Sequence, residues 1–238
     1  MLALETATEA LSVALLEEGR PRLELWLDAG RRHAALLTPL VDAALERLGA
    51  RPADLGAVAV GLGPGSFTGL RIGAVTGRAL ASTLGIPALG VPTLAAMARA
   101  AGPGLVVPLL DARGGRLYTA LYRVAADGTG EVSPLVDPLA ESAVSWWRRL
   151  AEEAPPGPLF LTGPGLRRYA EEARTALGGR ALLVPPSRWL PRASEVGALA
   201  WERLQAGEAG GPEALEPLYF GRQAVPWKER ERGDAAHR

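Results

Sequence analysis

The sequence predicts an α/β protein of two similar lobes, and three observations carry the prediction. Short apolar runs bounded by Gly, Pro and Asp alternate with amphipathic stretches, the pattern of strands joined by helices. The order β-β-β-α-β-α-β-α occurs twice along the 238 residues. Gly163-Pro164-Gly165 stands in the second half where Gly63-Pro64-Gly65 stands in the first. A repeat of this size gives paired lobes rather than a solenoid, and helical crossovers imply a sheet covered on both faces. With 48% hydrophobic residues the chain can bury a real core.

In the first lobe Leu2–Leu4, Leu11–Leu16 and Arg22–Asp28 read as strands, with a turn at Glu18-Gly19. His33–Leu48 reads as a helix, because Leu36, Leu37, Leu40, Val41, Ala44, Leu45 and Leu48 share one face. Strand Ala57–Gly61, helix Leu70–Leu84, strand Ala88–Val91 and helix Thr93–Ala101 follow, with Thr93 as the cap. In the second lobe Leu105–Asp111, Arg116–Val124 and Glu131–Val136 read as strands. Helix Leu139–Glu153, strand Leu159–Thr162, helix Leu166–Leu177, strand Ala181–Val184 and helix Ser194–Leu204 complete it. Trp146 and Trp147 read as core and rim packing rather than a stacking platform for bases. The lobes are drawn at 1–102 and 103–213, with a tail over 214–238.

Net charge is zero and the sequence pI is near 6.8, so no global basic field attracts nucleic acid. An RNA substrate would need a partner for much of the grip. The absence of cysteine excludes disulfides, thiolate nucleophiles and iron–sulfur clusters. Met1-Leu-Ala-Leu-Glu5 lacks a basic n-region, so no signal peptide is expected. No apolar run is long enough for a membrane span, and a cytoplasmic location is expected.

The run Gly63-Pro-Gly-Ser-Phe-Thr-Gly-Leu-Arg-Ile-Gly73 joins a strand to a helix. Glycines there let backbone approach a neighbour closely and aim N–H groups outward, and Ser66 and Thr68 can cap the helix. A P-loop would end in Gly-Lys-Ser/Thr, but this loop ends Thr68-Gly69-Leu70-Arg71. Thr68 also stands where the dinucleotide fingerprint needs glycine. From spacing alone, a tight turn feeding a packed helix is favoured over a phosphate cradle. Gly73, Ala74, Gly77 and Ala81 recur at three- and four-residue spacing, which predicts close approach of a second helix in a two-fold dimer; packing inside the monomer is the alternative.

The duplicated order resembles the actin-like, sugar-kinase and Hsp70-type ATPase superfamily, built of ribonuclease H-like lobes. That superfamily opens with an Asp-Gly-Thr-like hairpin touching phosphate; Glu5-Thr6-Ala7-Thr8 occupies that place here. Three further features sharpen the likeness: Gly63–Gly73, Asp111-Ala-Arg-Gly-Gly115 followed by Tyr118, and Pro217-Leu-Tyr219…Trp227. With them the chain resembles, over essentially its whole length, the TsaB (YeaZ) family of accessory subunits in bacterial tRNA threonylcarbamoyladenosine synthesis. Phe220-Gly221 shifts the arginine of the tail motif to Arg222.

The resemblance implies a non-catalytic scaffolding subunit that pairs with a larger paralogue, TsaD. That paralogue holds the metal and transfers threonylcarbamoyl from an adenylate to the adenosine beside the anticodon. An ATPase subunit, TsaE, docks on the pair. The accessory chain alone forms a homodimer, meets tRNA indirectly and has no membrane role; older naming tied the family to glycoproteases. No cofactor is expected to bind this chain tightly, ATP and a metal ion being used by the complex. Gly63, Pro64, Gly65, Ser66, Thr68, Gly69, Arg71, Gly73 and Gly77 are assigned to the partner interface and its loop. Glu5, Thr6, Thr8 and Asp111 are assigned to a vestigial nucleotide site, with turn capping the competing role for Glu5 and Asp111.

No catalytic residues are assigned. The paralogue binds metal through two histidines four apart on a helix, whereas His33 here is followed by Leu37, and His33 is expected at the surface beside Arg31 and Arg32. His237 lies in a polar tail, and Ser66 lacks both the nucleophile-elbow glycines and an evident base. Arg71, in the first helical turn, opposes the helix dipole, which predicts a carboxylate partner, internal or on another chain. The Arg-rich tail from Arg222 to Arg238 reads either as a contact for tRNA or partner or as a solvated end. A small-molecule kinase of the same superfamily and a metallopeptidase are the other function classes, disfavoured by Glu5-Thr6-Ala7 and by the missing metal ligands.

Overall fold

A computed structural model describes residues 1–208 and 210–220. The tail residues Arg222, Trp227 and His237 lie outside the described residues. The described chain forms two units, residues 1–96 with 191–219 and residues 97–190 with Phe220, each built on one five-stranded sheet.

In the first unit β1 (Leu2–Glu5) pairs antiparallel with β2 (Ala10–Glu17) and parallel with β4 (Val58–Gly61). Strands β3 (Arg20–Asp28) and β5 (Ala88–Val91) complete the order β3-β2-β1-β4-β5. The run Ala10–Leu16 is buried at every position, because helices cover both faces of the sheet. Those helices are α1 (His33–Arg47), α2 (Phe67–Leu84) and α6 (Ala193–Gln205). Ser66 caps α2 by accepting the Gly69 N–H at 3.3 Å, and Gly85 ends the helix in the left-handed region at φ 64°. Helix α3 (Thr93–Ala101) begins in this unit and ends in the second.

The second unit repeats the plan in the order β10-β9-β6-β7-β8. Its strands are β6 (Gly104–Arg113), β7 (Arg116–Val124), β8 (Val132–Ser142), β9 (Leu159–Thr162) and β10 (Ala181–Leu183). Helices α4 (Ala143–Glu153) and α5 (Leu166–Leu177) pack Trp146, Trp147, Leu150, Leu166 and Tyr169 against Leu109, Leu117, Leu121 and Leu161. Both tryptophans are core residues, and neither indole N–H finds an acceptor among the described residues.

Three expectations are corrected. Residues 139–142 are strand, not helix: Thr119↔Leu139, Tyr118↔Ala140, Leu117↔Glu141 and Arg116↔Ser142 extend the β7–β8 ladder, and the ladder ends where Ser142 caps α4. The helix at 193–205 belongs to the first unit, not the second. Ala193, Val196 and Ala200 pack on Ala3, Ala14, Leu16, Ala59 and Val91, and Gly197 leaves room for Leu16. His33 is buried, at 4% exposure, because the first turn of α1 faces the sheet; its Nε2 lies 3.4 Å from the Ala10 carbonyl. Thr93 starts α3, but its hydroxyl serves the site below rather than the helix.

Candidate functional site: the glycine socket and the outer face of helix α2

Turn Glu5–Ala7 leaves the end of β1 and lies under the loop that leads from β4 into α2. Glu5 is 1% exposed. Its Oε1 accepts the Ala7 N–H at 2.7 Å, and its Oε2 accepts the Thr93 hydroxyl at 2.8 Å. Thr93 Oγ1 in turn accepts the Gly63 N–H at 3.1 Å, and the Thr93 N–H donates to the Gly63 carbonyl at 2.8 Å. Burial pushes the Glu5 carboxyl up to about 7, against the pull of the Ala7, Thr93 and Thr6 hydrogen bonds. Thr8 Oγ1 closes the turn by accepting the Ala10 N–H at 3.2 Å.

The glycines match this turn atom by atom. A Cβ on Gly61 would stand 2.1 Å from Glu5 Oε2, and one on Gly65 2.2 Å from the Ala7 carbonyl oxygen. On Gly69 it would stand 2.1 Å from the Thr6 carbonyl oxygen, and on Gly73 2.4 Å from Thr6 Oγ1. All four distances lie far inside contact, so glycine at 61, 65, 69 and 73 is a socket for the chain's own N-terminal turn. Thr6 Oγ1 is buried there without a hydrogen-bond partner among the described residues. The Ser66 N–H donates to the Ala7 carbonyl at 2.7 Å and fixes the loop above it. Pro64 is buried, and Thr68 is exposed in the first turn of α2, so Ser66 alone caps.

Gly73, Ala74, Gly77 and Ala81 therefore face inward, and the expectation that they form a dimer face is corrected. A Cβ on Gly77 meets Val60 Cγ2 at 2.5 Å and Leu215 Cδ1 at 3.0 Å, both within the unit. The opposite face of α2 is the open one. Phe67, Arg71 and Val75, four residues apart, form a stripe in which Phe67 is 56% and Val75 64% exposed. The Arg71 guanidinium sits 4.6 Å from the Phe67 ring centroid, and the Tyr219 ring packs on Phe67 at 5.1 Å, tilted by 39°. Arg71 makes no ion pair among the described residues, so the internal carboxylate expected for it is not found among them. Segment 215–218 is held in place by Arg78 Nε donating to the Leu215 carbonyl at 3.1 Å and by the Leu218 N–H donating to the Leu62 carbonyl at 2.8 Å.

Sequence reasoning missed Gly61, Thr93 as a relay, Phe67 and the Phe67–Tyr219 pair. Phe67 carried a signal, an apolar residue on the face away from Gly69 and Gly73; Thr93 carried none, because its partners are 30 and 88 residues away. Asp111, the fourth residue assigned to the nucleotide site, lies in the second unit. It accepts the Arg113 N–H at 2.8 Å and lies 3.5 Å from the Tyr169 hydroxyl. Among the described residues no group of three or more His, Asp or Glu side chains is placed to hold a metal ion. No described helix is long and apolar enough to cross a membrane.

Two units with one repeated strand order and a glycine-rich strand-to-helix loop in each define an actin-like ATPase-fold protein. Residues 27–155 match the family described as "TsaD: tRNA N6-adenosine threonylcarbamoyltransferase". The TsaB protein of Escherichia coli is 33% identical, covering 96% of this chain and 97% of its own length. The TsaB protein of Bacillus subtilis is 31% identical, covering 92% and 93%. Among solved structures, YeaZ from Pseudomonas aeruginosa superposes with a TM-score of 0.79 at 33% identity, over 92% of this chain and 98% of that one. The ethanolamine utilization protein EutJ of Carboxydothermus hydrogenoformans, at 16% identity and a TM-score of 0.51, shares the fold alone. The chain belongs to the TsaB (YeaZ) family of tRNA threonylcarbamoyladenosine biosynthesis proteins.

Proposed function

We propose that this chain is a non-catalytic scaffold that binds the catalytic TsaD-type paralogue through the Phe67–Arg71–Val75 stripe and Tyr219. The supporting observation is the exposed aromatic pair with a guanidinium stacked on it, carried on a helix whose other face is locked onto the turn Glu5–Ala7. Exposed aromatics with an arginine are the composition of binding hot spots. The glycine socket then orders this face instead of cradling phosphate, and Glu5, Thr6 and Thr8 serve as its internal support. In this reading ATP, metal and the ATPase subunit TsaE act through the complex, and a second copy covers the stripe when the chain is alone.

Arg71→Ala tests the reading. A cation–π contact at an exposed site stabilises a monomer by about 0.5–1 kcal/mol, so melting should change little. Loss of a charge-assisted contact in an interface costs about 1.5–3 kcal/mol, so affinity for the paralogue should fall roughly tenfold or more. Calorimetry of the two purified chains checks this. Unchanged affinity in a folded variant refutes the interface, and turnover by the isolated chain refutes the non-catalytic role.

A further inference from the structure

Charge is unevenly divided along this chain. Residues 1–96 and 191–219 carry ten arginines against fourteen carboxylates, and residues 97–190 carry eleven against nine. Residues 220–238 add five cations and three carboxylates. In the second unit, arginines gather where the β6–β7 hairpin meets the start of α5. Asp111 makes the junction: one oxygen accepts the Arg113 N–H at 2.8 Å, and the other lies 3.7 Å from the Arg168 guanidinium. Arg113, Arg167 and Arg168 are all exposed, and neither Arg113 nor Arg167 makes an ion pair among the described residues. Arg116 adds a fourth cation at the hairpin base, donating to the Ala140 carbonyl at 2.7 Å. The acids beside these arginines are Asp111 and, one turn on along α5, Glu171, which pairs with Arg174, and Glu172, whose charge reaches Tyr169.

The hairpin tip is open. Arg113 sits in the left-handed region at φ 65°, and Gly114 and Gly115 have nothing within 4 Å of where a Cβ would stand. Arg168 is stacked 5.3 Å over the Tyr169 ring, which limits its freedom. On β7, Tyr118 packs against Phe220 at 6.0 Å between centroids.

We propose that the β6–β7 hairpin tip and the start of α5 form a surface for RNA phosphates, with Arg113, Arg167 and Arg168 as the contacting cations. Exposed guanidinium forks match phosphate oxygens and give sequence-independent, salt-sensitive binding. A chain of zero net charge has a basic face only by segregating its charges, as these units do. The inference rests on the reading that the chain works within a tRNA-modifying complex.

The test uses the full chain assembled with its TsaD-type paralogue and measures affinity for unmodified tRNA across a salt series. Replacing Arg113, Arg167 and Arg168 together with alanine should weaken tRNA binding about tenfold or more and reduce the log–log salt slope by about two to three. The triple lysine variant should keep most of that slope, and Arg22→Ala, in the first unit, should match wild type. If the alanine variant does not fold, Arg113→Gly with Arg167→Ala replaces it, since glycine accepts the left-handed backbone. An assembled variant with wild-type affinity and slope overturns the proposal. Loss of paralogue binding at unchanged RNA affinity overturns it too and assigns the face to an acidic protein surface. Failure of the wild-type chain to associate with the paralogue brings down the functional reading as well, and so is distinguishable from failure of this surface alone.

Discussion

Glu5 is a carboxylic acid enclosed by protein, and its protonation is part of the stability of the first unit. Its folded value, about 7, lies above the ordinary 4.5. Below pH 4.5 the acid is protonated whether folded or unfolded, and its contribution is fully present. As pH rises toward 7 the unfolded chain ionises first, and that contribution is lost, to a total of about 3 kcal/mol at most. Urea unfolding of wild type and Glu5→Gln at a series of pH values isolates the term. Wild type should lose stability relative to the variant between pH 4.5 and 8, whereas parallel curves would contradict the buried-acid account. The glycine string and Glu5-Thr6-Ala7 were both legible in the sequence as features. Their fit to one another was not, because spacing along a chain says nothing about which distant turn fills a cradle.

At the scale of elements, α2 sets two effects against each other at its glycines. Gly→Ala inside a helix ordinarily gains about 1 kcal/mol from propensity. At Gly69 the added methyl would stand 2.1 Å from the Thr6 carbonyl oxygen, a backbone atom, and overpacking there costs about 1–3 kcal/mol or more. Gly69→Ala should therefore destabilise, and thermal melting reads the sign; a rise in melting temperature would mean that the socket yields. Helix α6 depends on a residue from another element. Glu24 of β3 accepts Ser194 N–H at 3.1 Å, Ser194 Oγ at 2.9 Å and Ser12 Oγ at 2.8 Å, capping a helix whose own preceding residue, Arg192, offers no cap. Glu24→Ala should cost about 1–3 kcal/mol, because it leaves buried donors unsatisfied. Hydrogen exchange should then show α6 opening before the strands; equal protection of both would speak against the cap. Helix positions followed from apolar periodicity, and residues 139–142 misled because an apolar residue on a strand running into a helix fits either period.

For the molecule as a whole, chain order and packing order differ. The duplication was readable because each half repeats the same run of strands and helices, and the boundary drawn after residue 102 followed from it. Helix α6 breaks that reasoning: it is the last helix of the second repeat, yet it supplies Ala193, Val196 and Ala200 to the core of the first sheet. Segment 210–218 goes the same way, with the Ala88 N–H donating to the Gly210 carbonyl at 2.8 Å and covering the β5 edge. Local pattern cannot reveal this, since an amphipathic helix shows that it has a partner face and not which sheet lies under it. The consequence is a dissection experiment. A fragment of residues 1–102 leaves the face of β1, β2 and β4 that α6 covers open to water, and should aggregate or bind a hydrophobic dye. A single chain joining residues 1–96 to 191–219 through a flexible glycine–serine linker restores the helix and the β5 edge, and should unfold in one cooperative transition by circular dichroism. If the 1–102 fragment melts as cooperatively as the joined chain, α6 is an accessory to the first unit rather than part of its core.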